Sequence, residues 1–285
     1  MSSVTARWIQ LEGAVNVRDV GGMITADGRA IRPGALIRSA NLQHLTTTDV
    51  TTLVRDLGVR RVVDLRTDVE VERAAPGLLH AQPDVVVHHL SLYPDSDGNA
   101  ENVVAIDEKP AAGTDDDAAK PVLPWQGDKL TPDRAPVVSS YLRYLTRRPD
   151  SIVAALRAIA EPDGATLVHC AAGKDRTGVV VALALTVVGV PPESIAADYA
   201  LTQSQMALIL AHLARSDLYD REVTQPDQIP TASAEVMEAV LSAVQAEYGS
   251  VLGWLASHGW TERDTEALRA KLVGPSQQDH PNSGR

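Results

Sequence analysis

Apolar positions along the 285-residue chain fall into short β-type runs separated by longer helical ones. Val59 to Leu65, Val85 to Leu92 and Ala165 to Val168 are short, apolar and rich in β-branched residues, and each reads as a strand. Thr46-Thr47-Thr48-Asp49 opens a helix that runs through Leu57 and is capped by Gly58. Further helices are expected around Val69 to Arg73, at Val137 to Leu145, Ser151 to Ala160 and Ala234 to Glu247, and in a last helix ending near Val273. Val190-Pro191-Pro192-Glu193 breaks the chain before a helix from Ser194 to about Gln203. Gln205 to Leu218, with Met206, Leu208, Ile209, Leu210 and Leu213, is more apolar than a fully solvated helix. The alternation predicts an α/β fold.

One run stands apart. Val179 to Leu185 is apolar on every face and predicts a helix sunk in the core. Between the Ala165 to Val168 strand and that helix lies His169-Cys170-Ala171-Ala172-Gly173-Lys174-Asp175-Arg176-Thr177-Gly178, which holds the only cysteine of the chain. A loop of small residues feeding a helix N-terminus suits an anion, because loop N–H groups and the first unpaired helical N–H groups form a cradle at the positive end of the helix dipole. A thiol there is biased towards the nucleophilic thiolate. Arg176 can fold over the cradle and grip two phosphate oxygens with its planar fork, and Thr177 can donate its hydroxyl to the sulfur. Gly173 and Gly178 permit close backbone approach and turning. The bland reading of Cys170, a small buried hydrophobe, sits badly with Lys174, Asp175 and Arg176 beside it.

The Cys170-to-Arg176 spacing is that of the cysteine-dependent phosphatases, and the full string resembles the bacterial tyrosine phosphatases of the mycobacterial phosphatase B type and the myotubularin lipid phosphatases. Asn16-Val17-Arg18-Asp19-Val20-Gly21-Gly22, a strand ending in Arg38-Ser39, and Tyr248-Gly249-Ser250 resemble the same bacterial family. The resemblance implies a tyrosine-phosphatase-like fold with a central, mostly parallel sheet flanked by helices, and a helical lid over the site from the Gln205 to Leu218 region. A plain packed helix is the alternative there. It implies substrate-binding roles for Ala171, Ala172, Gly173, Lys174 and Thr177, and catalytic roles for Cys170 and Arg176. Arg18 and Arg38 read as surface salt-bridging residues, as a buried structural pair or as substrate contacts. Arg66, at the carboxyl end of a strand, is a candidate supporting residue or a partner of Glu70.

Two aspartates compete to protonate the leaving oxygen. Asp175 lies in the signature loop, whereas Asp95, in Tyr93-Pro94-Asp95, resembles the mobile Trp-Pro-Asp loop of tyrosine phosphatases. Asp175 is favoured because the loop fixes its reach. The expected reaction is phosphate monoester hydrolysis through a phosphocysteine, acting on a phosphotyrosyl protein, with phosphoserine or phosphothreonine and a phospholipid headgroup as further substrates. It calls for no cofactor or metal, and the spacing of His80, His88 and His89 matches no zinc pattern. A non-catalytic phosphate-binding module and a rhodanese-like sulfurtransferase are the rival readings, and arsenate reduction lacks resolving cysteines.

Composition adds limits. A net charge of −11 argues against a nucleic-acid surface and leaves attraction of phosphate to a local basic site. A single cysteine rules out an internal disulfide, and no apolar run spans a bilayer, so a cytoplasmic protein is expected, export without a signal peptide staying open. Residues 1–274 read as one catalytic domain. It is interrupted by a flexible acidic insertion from Ser96 to about Ala135, with Asp115-Asp116-Asp117 at its centre, and followed by a polar tail from Pro275.

Overall fold

A computed structural model describes residues 7–74, 76–94, 135–216 and 231–274. Asp95, the expected acidic insertion up to residue 134 and the tail from residue 275 lie outside the described residues. Among the described residues six strands form one sheet: β1 (Arg7–Trp8), β2 (Arg18–Asp19), β3 (Leu36–Ser39), β4 (Val59–Asp64), β5 (Val86–His89) and β6 (Ala165–His169). Their spatial order is β1-β2-β3-β6-β4-β5. β3, β6, β4 and β5 run parallel, and β1 and β2 add an antiparallel edge. The two-residue β1 and β2 are too short to leave a periodic signal and were not foreseen.

Neighbouring residues along a strand point to opposite faces, and the sequence follows that period. Leu36, Val63 and Val168 enter the larger core, while Ile37, Val62 and Leu167 enter the smaller one. The larger core is covered by α3 (Pro136–Arg147), α4 (Pro149–Ala160), α5 (Asp175–Val187), α6 (Pro192–Leu201), α8 (Ala234–Tyr248), α9 (Val251–Ser257) and α10 (Glu262–Leu272). Proline stands in the first turn of α3, α4 and α6, where its missing N–H costs nothing. The smaller core is closed by Val50 of α1 (Thr47–Thr51), by Leu53 in a π-helical turn over Thr52–Asp56, and by Leu79. α1 starts where expected, with Thr46 and Asp49 forming a capping box, and the turn ends at Gly58 with φ 65°.

α5 is the buried helix that the all-apolar run predicts. Its N-terminus faces the carboxyl end of β6, at the centre of the parallel sheet, which is where open α/β sheets gather their sites. α7 (Met206–Leu213) is shorter than the expected Gln205 to Leu218 span, and residues 217–230 lie outside those described.

Candidate active site

β6 ends at His169, and the next residues form a loop that enters α5 at Asp175. The protein around this loop grips its carbonyls. The Asn41 N–H donates to Ala171 O at 2.9 Å, and Asn16 Nδ2 donates to Ala172 O at 3.1 Å and Gly173 O at 3.2 Å. Arg38 Nη2 donates to Gly173 O at 2.9 Å. In a trans peptide each N–H points opposite to the preceding C=O. Tying these three carbonyls therefore turns the N–H groups of Ala172, Gly173 and Lys174 away from that wall, as an anion cradle requires. Gly173 has φ 65°, and a Cβ on it would lie 2.3 Å from Ser39 O, so only glycine fits.

Asp198 of α6 sets the position of that wall. Its carboxylate accepts from Arg18 Nε at 2.9 Å and from Arg38 Nη1 at 2.7 Å, and Arg18 Nη1 donates to Asn16 Oδ1 at 2.6 Å. All four side chains are buried. Burial alone would raise the Asp198 carboxyl, but the two arginines override it and hold it below the usual carboxylate range. Burial and the neighbouring Arg38 push Arg18 down to about 10 in spite of Asp198. Of the readings of Arg18 and Arg38, the geometry matches the buried structural pair and not surface salt bridging: they hold the loop that would hold the substrate.

Arg176 is clamped from the other side. Its Nη1 donates to Glu70 Oε2 at 2.5 Å and to Leu65 O at 3.2 Å, and its Nη2 donates to Glu70 Oε1 at 3.1 Å. The Tyr93 ring lies 5.7 Å from the guanidinium carbon. Burial opposes the charge on Arg176, but Glu70 and Cys170 together hold it well above its ordinary value. Glu70 is itself fixed as the third residue of a capping box at the start of α2 (Asp68–Glu72), its Oε2 accepting from the Thr67 N–H at 2.7 Å. Arg66 forks onto Asp64, with Nη2 to Oδ2 at 2.6 Å and Nε to Oδ1 at 3.0 Å. Asp64 also faces His169 Nε2 at 3.7 Å. Burial brings His169 down to about 4, which keeps the residue before the cysteine neutral at physiological pH.

Cys170, Lys174, Asp175, Arg176 and Thr177 are all buried. Asp175 Oδ1 accepts from Tyr141 Oη at 2.5 Å and lies 3.5 Å from Lys174 Nζ. Tyr141 Oη is 2.7 Å from Tyr199 Oη. One expectation changes here. Thr177 Oγ1 has no hydrogen-bond partner among the described residues, so the bond to sulfur is not formed in this structure. A Cβ on Gly178 would meet the Tyr199 ring at 3.0 Å, so this glycine makes room for a tyrosine of α6. α7 lays Ile209 and Leu213 on Ala171 and Ala172, and His212 Nε2 is 3.0 Å from Asn41 O. The helix thus covers the loop directly. No group of three or more His, Cys, Asp or Glu suited to a metal occurs among the described residues, and no helix among them is long and apolar enough to cross a membrane.

Glu70, Asp198, Tyr141 and Tyr199 were not singled out for the site from the sequence. Glu70 had a readable signal, the Thr67-x-x-Glu70 capping box, though not one that points to Arg176. The other three reach the loop only through tertiary packing.

The loop at the head of the buried helix is built to take an anion beside a thiol, an arrangement that fits a phosphatase. The sequence pattern of the tyrosine phosphatase family matches residues 9–274, and the chain belongs to that family. It is 30% identical over 93% of its length to the triple specificity protein phosphatase PtpB of Mycobacterium tuberculosis, covering 99% of that protein. It is 28% identical over 85% of its length to a tyrosine-protein phosphatase of Nostoc commune, covering 76% of that protein. The chain is therefore an enzyme, a protein tyrosine phosphatase.

Proposed function

We propose that the enzyme hydrolyses phosphate monoesters in two steps, with Cys170 as nucleophile, Arg176 and the loop amides as the phosphate clamp, and Asp175 as the acid. The Cys170 thiolate attacks phosphorus, the P–O bond to the leaving group breaks, and Asp175 gives its proton to the departing oxygen. Water then attacks the phosphocysteine, its proton passing to the Asp175 carboxylate, and the P–S bond breaks to release phosphate and the thiolate. Arg176 stabilises the equatorial oxygens in both steps because Glu70 holds its fork in place before substrate arrives. The observation that carries this reading is the loop whose carbonyls are tied away at Ala171, Ala172 and Gly173, directly after Cys170.

Phosphotyrosyl protein is the substrate we favour. Breadth towards phosphoserine, phosphothreonine and a phosphoinositide headgroup belongs to the proposal, supported by Lys174 in the loop and by the name of the mycobacterial relative.

Asp175→Asn is expected to lower kcat for a phosphotyrosyl peptide about 100-fold and to flatten the basic limb of its pH–rate profile. A variant that keeps both the rate and the limb would move the acid elsewhere, with Asp95 the competitor that sequence offers.

A further inference from the structure

The phenols beside the loop have no part in the two steps above, yet they are arranged around one atom of it. Tyr141 of α3 donates to Asp175 Oδ1 at 2.5 Å, and Tyr199 of α6 lies 2.7 Å behind it, oxygen to oxygen. Both tyrosines are buried and rank among the largest fully buried side chains of the described residues. A phenol in such surroundings needs a hydrogen-bond partner, and an aliphatic residue would fill the space at no such demand. The signature itself makes room for the pair, since the Tyr199 ring occupies the space that a Cβ on Gly178 would need.

From this juxtaposition we infer that Tyr141, backed by Tyr199, is a positioning residue that holds Asp175 Oδ1 and thereby presents Oδ2 to the leaving oxygen. The inference rests on the assignment of Asp175 as acid. A carboxyl group tethered through one oxygen has one oxygen left to carry and deliver the proton. When that proton leaves, the Tyr141 bond becomes charge-assisted and stronger, so the phenol favours the step electrostatically as well as sterically. Burial and the nearby Asp175 hold the Tyr141 hydroxyl well above its ordinary range, so it remains a donor throughout. Among the described residues, the other titratable groups around Asp175 are Lys174 at 3.5 Å, Arg176 on its own helix, and the phenols of Tyr93, Tyr144 and Tyr199. Tyr199 braces rather than touches the carboxylate: it orients the Tyr141 hydroxyl, and its neighbour Asp198 braces the loop carbonyls through Arg38. One turn of α6 therefore supports both halves of the site.

The test compares wild type, Tyr141→Phe, Tyr199→Phe, Asp175→Asn and the double variant Tyr141→Phe/Asp175→Asn on a series of aryl phosphates of increasing leaving-group basicity. Thermal melts confirm that each is folded. Tyr141→Phe is expected to lose about 10-fold in kcat with basic leaving groups and little with the most acidic phenol, and its basic pH limb should move to higher pH. Tyr199→Phe should do the same more weakly, and Tyr141→Phe should add nothing in the Asp175→Asn background. Equal losses for good and poor leaving groups, with an unmoved basic limb, would make the tyrosines merely structural and overturn the inference. If instead Asp175→Asn itself were indifferent to the leaving group, the acid assignment would fail first. The two failures are therefore distinguishable.

Discussion

Arg176→Lys is expected to lower kcat for a phosphotyrosyl peptide about 1,000-fold in a protein that still folds. The charge is conserved and the geometry is not. Two different guanidinium nitrogens engage the two oxygens of Glu70, and a third contact goes to Leu65 O, so the plane of the fork is fixed before any phosphate arrives. An ammonium is a point charge with no plane to fix, and it cannot present two parallel N–H groups to phosphate. Catalysis would lose preorganised stabilisation of charge that develops in the transition state, so the loss should fall on kcat more than on KM. Glu70→Gln should show a weaker form of the same defect, because it leaves the fork intact but releases its brace. Steady-state kinetics with the peptide checks both, and a loss below 10-fold for Arg176→Lys would contradict the clamp.

The second large effect is on stability. Asp198→Asn leaves Arg18 and Arg38 buried side by side without their shared anion and is expected to cost about 3–5 kcal/mol. In a chain of this size that corresponds to a fall of roughly 10 °C in Tm. Because the arginines hold the Asp198 carboxyl below the ordinary range, its contribution is complete above the unfolded-state pKa. It is lost as pH falls through the folded-state value, so the gap between wild type and variant should close only in strong acid. Calorimetry at neutral pH and in acid tests this, and a Tm within 2 °C of wild type at neutral pH would refute it. Phosphate binding should weaken in the same variant, since Arg38 and Asn16 hold the carbonyls of the loop.

The parts of this site that sequence discloses are those whose physics is local. A β-branched run, a glycine that must take positive φ and an apolar helix announce the loop between β6 and α5, and Cys170 and Arg176 come with it. Sequence leaves Arg18 and Arg38 open between surface salt bridging, a buried structural pair and substrate contact, because arginine in a short strand looks alike whether it meets a surface acid, a buried carboxylate or phosphate. Its anion, Asp198, lies 160 positions beyond Arg38 and bears no local mark. Sequence offers Glu70 as the partner of Arg66, whereas the Arg66 fork lies on Asp64 and Glu70 takes Arg176. Helix spacing alone placed Arg66 and Glu70 together; the capping box at Thr67 turned the glutamate to a different arginine. The neighbour of Gly178 is hidden from sequence for a related reason, since the ring that fills the space beside it comes from another helix.

The most direct test is rapid denaturation of the enzyme in detergent at mildly alkaline pH during turnover of a ³²P-labelled phosphotyrosyl peptide, followed by peptide mapping. Label is expected on the peptide that carries Cys170, stable in alkali and labile in mild acid and formed before inorganic phosphate appears, together with loss of both label and turnover in Cys170→Ser. Label on another residue, or wild-type turnover by Cys170→Ser, would contradict the phosphocysteine mechanism.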